Sequence, residues 1–494
     1  MFTNSSASII RSISASIRWQ LGVISILLAS CGQGAEHKES NITGSSVGST
    51  VFDTTLSRGI VKDTVACNVD KEHSFALYLP KAYNSQRPWP CIIFFDAHAR
   101  GALPLRMYQN IAEKYGFILI GSNRSKNGTP PEVTNNIVNT LWTDIHHRLN
   151  IDTTRTYTSG FSGGSKVAAL VAMTNKGISG VIGCAGGLPN TGQEPQTTFD
   201  YFGIAGDYDF NLPEMMQLDS YWEQKRAPHF LLNWPGIHSW PRAEEFRTGV
   251  LWMMVNSMKA HRMERNDAVI TELTIELNKR INEAISGNDQ ITTARLLSGT
   301  KFILEGLTDV SGYNKQLTQL VNGPTYIYAQ SSLQKLLQQE QTQQREMAAQ
   351  FSTQTERSLT DKLTEISRIA NNSKTVQEAN SNRRVLAFLG FISYMNISAA
   401  LSAGDKTHAA TYIKIFKIVD PKNPDCSYFT ALLSIKNNDT KAAMAALKDA
   451  AALGYSDVDQ LSAEPAFASL LNDADFLKIV TLVRDNHDGK NLKN

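Results

Sequence analysis

Residues 156–173 read TYTSGFSGGSKVAALVAM. The first four suit a β-strand, the glycine-rich centre a sharp turn, and residues 166–173 an apolar helix. The turn, Gly160-Phe161-Ser162-Gly163-Gly164, fits the pattern G-x-S-x-G in the strand–turn–helix setting that gives it chemical meaning. Small residues are needed there because the backbone must pass close to its neighbours while Ser162 Oγ is held out at the carboxyl edge of a sheet. The N–H of Gly163, at the helix start, points to where an oxyanion would form. Such a turn also occurs by chance, so its meaning depends on what surrounds it.

Working outward, short apolar runs alternate with helical patterns. Residues 91–95 (CIIFF) and 117–120 (FILI) are continuous apolar runs, as expected of strands covered on both faces. Residues 73–79 (HSFALYL) alternate and read as an outer strand. Residues 181–184, 201–205 and 230–233 complete the strand set, and 139–149 reads as a helix. Strands alternating with helices predict an α/β class with a mostly parallel sheet and helices on both faces.

An activated serine needs a base, and the base needs an orienting carboxylate. The histidines after Ser162 are His229, His238, His261, His408 and His487. His238 lies in PGIHSWP (residues 235–241), a loop just after a strand, from which an imidazole swings back over the sheet edge. His229 opens that strand at its other end and reads as structural. His261 follows a long helix, and the last two fall in a helical half. Carboxylates follow the strand at 201–205 in Gly206-Asp207-Tyr208-Asp209, again at the carboxyl end, where such sheets place their sites. Asp209 is favoured and Asp207 is the alternative; either also suits a cap for the helix beginning near Leu212.

Serine, acid and histidine thus occur in the chain order of the α/β-hydrolases, each after a strand. Residues 55–258 resemble a serine esterase of that superfamily. The loop with Gly236, His238 and Trp240 is similar to that of polyhydroxybutyrate-depolymerase-like and feruloyl-esterase-like enzymes. The resemblance implies Ser162 as nucleophile, His238 as general base and Asp209 as acid, acting through an acyl-enzyme on small or polymer-linked carboxylic esters. It implies no cofactor. Family esterases place a His-Gly pair after the early strand, whereas this chain has Asp96-Ala97 in FFDAHARG (residues 94–101). By that alignment the His98 amide is the second oxyanion donor beside Gly163, with Ala97 next; the His98 ring alternatively packs on Asp96.

The N-terminus carries Arg11 and Arg18, then a short apolar run at 21–28 ending in Leu28-Ala29-Ser30-Cys31. This resembles the lipobox of bacterial lipoproteins and implies removal of residues 1–30 and lipidation of Cys31. Residues 31–50, rich in Gly, Ser and Asn, suit a flexible tether. The expected location is the bacterial cell envelope, lipid-anchored. No other segment reads as the roughly 20 apolar residues needed to span a bilayer. Cys91 and Cys184 sit in buried-strand runs, where a free thiol acts as a small hydrophobe; a disulfide among Cys67, Cys91, Cys184 and Cys426 stays open from spacing alone. No CxxC motif and no His/Cys cluster with zinc spacing occurs, so no metal is expected.

Glycine is uneven: 23 of the 32 lie before residue 259, which points to loop-rich α/β first and helices after. Residues 338–350 (QQEQTQQREMAAQ) read as a solvated helix linking two helical lobes. Gly404-Asp405 and Asn438-Asp439 lie 34 residues apart, and at that offset Ala409 matches Ala443, Ile413 matches Leu447 and Phe416 matches Ala450. Thirty-four is the tetratricopeptide period, and residues 385–455 resemble two such repeats, closed by a cap-like segment at 454–480. The expected organisation is a signal (1–30), a tether (31–50), an α/β-hydrolase domain (51–262), a helical linker or lobe (263–380) and a tetratricopeptide-like domain (381–494).

With 48 Lys+Arg against 46 Asp+Glu, the net charge is +2, a poor basis for nucleic-acid binding. The expected partners are an ester substrate, a membrane through the lipid, and a protein on the helical repeats. Two readings compete with an esterase: an inactive hydrolase fold serving as a scaffold, and a serine peptidase.

Overall fold

A computed structural model describes residues 52–175, 177–192, 198–350 and 356–489. The signal, the tether and Cys31 lie outside the described residues.

Eight strands form one sheet: β1 Val61–Ala66, β2 Ser74–Tyr78, β3 Trp89–Phe95, β4 Ile118–Ser122, β5 Ile151–Phe161, β6 Gly180–Cys184, β7 Asp200–Gly206 and β8 His229–Trp234. Their order is β1-β2-β4-β3-β5-β6-β7-β8. From β4 to β8 every pair is parallel, while β1 and β2 add antiparallel at one edge. This is a mostly parallel α/β sheet covered by helices on both faces, the class that the sequence predicts.

The apolar runs alternate between two cores. Ile92 and Phe94 face α1 (Ala102–Tyr115) and α5 (Ala243–Lys259), whereas Cys91, Ile93 and Phe95 face α2 (Pro131–Arg148) and α3 (Gly163–Thr174). Period-2 alternation in a strand buried on both sides places every residue in one core or the other, which is why CIIFF has no polar member. The α4 helix (Leu212–Lys225) follows the β7 loop and packs on β7 and β8.

Residues 73–79 are not outermost: β1 covers β2 from outside. The β1 sequence, VKDTVA, has no apolar run and exposes every second residue, so its signal is weak before the fold supplies a neighbour. Cys67, Cys91, Cys184 and Cys426 are all buried free thiols.

The helical half contains α6 (Asp267–Ser286), α7 (Gln290–Leu304), α8 (Ser311–Val321), α9 (Pro324–Gln350), α10 (Glu356–Asn372), α11 (Val376–Ser402), α12 (Lys406–Val419), α13 (Pro424–Lys436), α14 (Thr440–Ala452), α15 (Val458–Ala463) and α16 (Ala474–His487). The sheet's core extends past residue 262, taking in Leu273 and Leu277 of α6 and Leu296 and Leu297 of α7. A separate core joins α9 to α16. Within it, Asp405 and Asp439 cap α12 and α14 through the amides of His408 and Ala442, each after a residue of positive φ, Gly404 (76°) and Asn438 (63°). Ala409, Phe416, Ala443 and Ala450 are all buried. The pairs 34 residues apart therefore occupy equivalent places: the same turn, the same cap and the same buried stripe.

One sequence expectation is corrected here. Among the described residues, α11 is by length and composition apolar enough to cross a membrane, its most apolar 18-residue window having a mean hydropathy of 1.7. The Ser, Gly and Asn residues scattered through it conceal its length as an apolar segment. Its N-terminal half carries Arg384, which is buried and ion-paired, and its apolar residues Val385, Leu389 and Ile397 lie in the helical core.

The described residues of 52–189 and 198–489 form one compact unit.

Candidate active site

Ser162 stands between the end of β5 and the first residue of α3, at φ 57° and ψ −119°. A non-glycine residue in this region stores about 1–3 kcal/mol of strain that the surroundings must hold. The glycines explain how. A Cβ on Gly160 would collide with the Gly164 carbonyl, and one on Gly164 with the Phe95 carbonyl. The turn is thus pressed against itself and against β3. The Ser162 amide donates to the Cys184 carbonyl at 2.9 Å, so the backbone is pinned while the side chain projects.

His238 reaches Ser162 from the loop after β8, with Nε2 3.0 Å from Ser162 Oγ. Its Nδ1 lies 2.9 Å from Asp209 Oδ1. Asp209 is fully buried, and the same oxygen accepts the Asn211 amide at 2.8 Å. Its Oδ2 has no partner among the described residues. The imidazole lies between two rings, Phe161 at 4.9 Å and Phe210 at 4.5 Å. About a fifth of the His238 side chain is exposed. A hydroxyl, an imidazole and a buried carboxylate in line, at hydrogen-bond distances, form a relay that can move the serine proton.

Asp207, the alternative acid, is not part of this line. Its carboxylate accepts from Asn233 Nδ2, and burial raises its pKa above the usual carboxylate range. His229 stays at the amino end of β8, its Nδ1 2.8 Å from the Ala227 carbonyl and its Nε2 3.5 Å from Asp219.

The loop after β3 is organised by Asp96. This buried carboxylate accepts the His98 amide at 2.8 Å, the Arg100 guanidinium at 2.8 and 3.0 Å, and the Trp240 indole N–H at 2.7 Å. Burial pushes its carboxyl up, but the Arg100 charge and these bonds outweigh that and hold it at about 2. The His98 amide is therefore committed to Asp96, against the expectation that it faces an oxyanion. Among the described residues no acceptor takes the Ala97 or the Gly163 amide. Asn127 also borders this site. Its amide donates to the Ala97 carbonyl at 2.8 Å, and its side chain lies where a Cβ on Gly163 would sit. Its only sequence signal is an Asn-Gly turn.

No group of His, Cys, Asp or Glu suited to hold a metal occurs among the described residues.

No protein-family model matches the chain, and no curated protein matches it. Among solved structures, the chain is similar over part of its length to an S-formylglutathione hydrolase from Staphylococcus aureus. That match has 11% identity and a TM-score of 0.32, and covers 37% of this chain and 90% of the other. A ferulic acid esterase gives 14% identity, a TM-score of 0.31, and coverage of 39% and 94%. Esterase 2 of Thermogutta terrifontis gives 11%, 0.32, and coverage of 42% and 96%.

Proposed function

We propose that this chain is a serine hydrolase that cleaves carboxylic esters through an acyl-enzyme. The observation that carries the reading is the line Ser162 Oγ–His238 Nε2 at 3.0 Å and His238 Nδ1–Asp209 Oδ1 at 2.9 Å, on a strained turn. In the first step His238 takes the Ser162 proton as Oγ attacks the ester carbonyl. Asp209 fixes the imidazole and offsets its charge. The tetrahedral oxyanion is met by the Gly163 amide and, since the His98 amide is spent on Asp96, by that of Ala97. His238 then gives its proton to the leaving alkoxide, the acyl group stays on Ser162, and a water deprotonated by His238 releases the acid.

The proposed setting is the bacterial envelope, with lipid on Cys31 as the anchor. The paired helices from α11 to α14 are proposed as degenerate tetratricopeptide-like repeats.

The test is labelling with a fluorophosphonate probe, followed by turnover of p-nitrophenyl esters against p-nitroanilides. Wild type labels and Ser162→Ala does not. Equal labelling of the two, or none, overturns the reading. Faster anilide than ester turnover moves the assignment to a peptidase.

A further inference from the structure

The acid loop, residues 207–210, is gripped by the helical region on both sides of Asp209. Arg384 of α11 donates from Nη1 to the Asp207 carbonyl at 2.9 Å. The Arg383 guanidinium lies 4.8 Å over the Tyr208 ring. Phe391 stacks on Phe210 at 5.8 Å, and the other neighbour of Phe210 is His238 at 4.5 Å. Arg384, Phe388 and Phe391 are spaced four and three residues apart, so one face of a single helix meets the loop. Phe388 completes the contact with its ring 6.5 Å from Phe210.

Arg384 is itself built in. It is buried, and its Nη2 and Nε lie 2.6 and 2.9 Å from the buried Glu340 carboxylate of α9. Ser381 adds a bond to Glu340 at 2.9 Å. A planar guanidinium held on one edge by a carboxylate presents its remaining N–H in a fixed direction, which a lysine cannot do. The loop needs this support. Asp209 has an unpartnered Oδ2, so within the loop its aim rests on His238, on the Asn211 amide and on where the backbone is put. The helical region also touches the opposite loop, where Arg100 Nη1 lies 3.2 Å from Ser456 Oγ.

We infer that α11 is part of the catalytic machinery, with Arg384, locked by Glu340, as the positioning residue that holds the acid loop so that Asp209 aims His238 at Ser162. The inference rests on the ester-hydrolase reading above and assigns the helical region a role in that site.

The experiment uses the full chain, with active sites counted by fluorophosphonate titration and p-nitrophenyl acetate turnover expressed per titrated site. Arg384→Lys keeps the charge beside Glu340 but loses the fork, and Phe391→Ala removes a ring that is 44% exposed and lies outside the buried helical core. A misplacement of about 1 Å caused by a change far from the chemistry can cost about a hundredfold in rate. Arg384→Lys is expected to show that loss per titrated site with KM little changed, and Phe391→Ala a smaller loss of the same kind. If Arg384→Lys only lowers the number of titrated sites, and both variants keep wild-type kcat per site, the inference is overturned while the hydrolase reading stands. If wild type itself neither labels nor turns over ester, both fall together.

Discussion

The indole N–H of Trp240 donates to Asp96 Oδ2 at 2.7 Å. This bond ties the loop that carries His238 to the loop that follows β3, so the base and the second oxyanion loop share one anchor. Trp240 is buried, with its ring 5.8 Å from Phe161 and 6.0 Å from Phe94. Trp240→Phe removes the N–H together with part of a buried ring, so a cavity cost adds to the lost bond. A hydrogen bond to a charged group is worth about 1.5–3 kcal/mol, and urea unfolding should show a loss of at least that size. A stability equal to wild type would mean that the bond contributes nothing.

Asp96 has a pH signature. Its folded-state pKa is about 2, against an ordinary value of 3.8. A carboxyl depressed by folding contributes stability that is complete above its unfolded value and is lost as pH falls through the folded one. The stability gap between wild type and Asp96→Ala should be constant well above pH 4 and should narrow as pH falls from about 4 to 2. At neutral pH the variant leaves the Arg100 guanidinium unpaired, and removing one member of a buried pair costs about 3–5 kcal/mol. Urea midpoints of both proteins across pH 2–7 check this; a gap that stays constant down to pH 2 contradicts it.

The two aspartates of the acid loop should separate cleanly. Asp209→Asn keeps the shape but presents His238 with the wrong hydrogen-bonding group, and losses of about 10⁴ in kcat are typical of that change. Asp207 bonds Asn233 instead, so Asp207→Asn should retain most of the ester turnover, as should His229→Ala. Steady-state kinetics on a short-chain p-nitrophenyl ester decide between the aspartates, and a larger loss at 207 than at 209 would reassign the acid.

Gly164→Ala tests the turn. Its Cβ would run into the Phe95 carbonyl, and overpacking of this kind costs about 1–3 kcal/mol. The expected result is a lower melting temperature together with slower fluorophosphonate labelling, because the backbone that relieves the clash is the one that aims Ser162. Normal labelling at reduced stability would separate the glycine from the nucleophile's geometry.

The four described cysteines should be inert in the native protein. Burial pushes the Cys91 thiol up to about 12 and those of Cys67 and Cys426 up to about 11, and raises that of Cys184 as well. Thiolate is the reactive form, so iodoacetamide at pH 8 should modify none of them until denaturant is added. Mass spectrometry before and after unfolding reads the outcome, and native modification of Cys91 would contradict its placement on β3.

Residues 156–173 determined by themselves that a strand, a turn and a helix meet at Ser162, because glycine spacing and apolar periodicity are local properties of a chain. The same holds for the central strands, whose unbroken apolar runs need two covered faces, and for the repeated Asp caps at 405 and 439. Chain order and position after strands also brought Asp209 and His238 forward. The edge strand β1 was not legible, since VKDTVA pairs only because β2 lies beside it. Nor was the fate of the His98 amide, which is decided by where the Asp96 carboxylate turns once Arg100 and Trp240 have reached it from other parts of the chain. The grip of Arg384 and Phe391 on the acid loop lies furthest from local reading. It joins residues about 180 positions apart, and only the packing of the helical core against the sheet brings them within a hydrogen bond and a ring contact of the residues that flank Asp209.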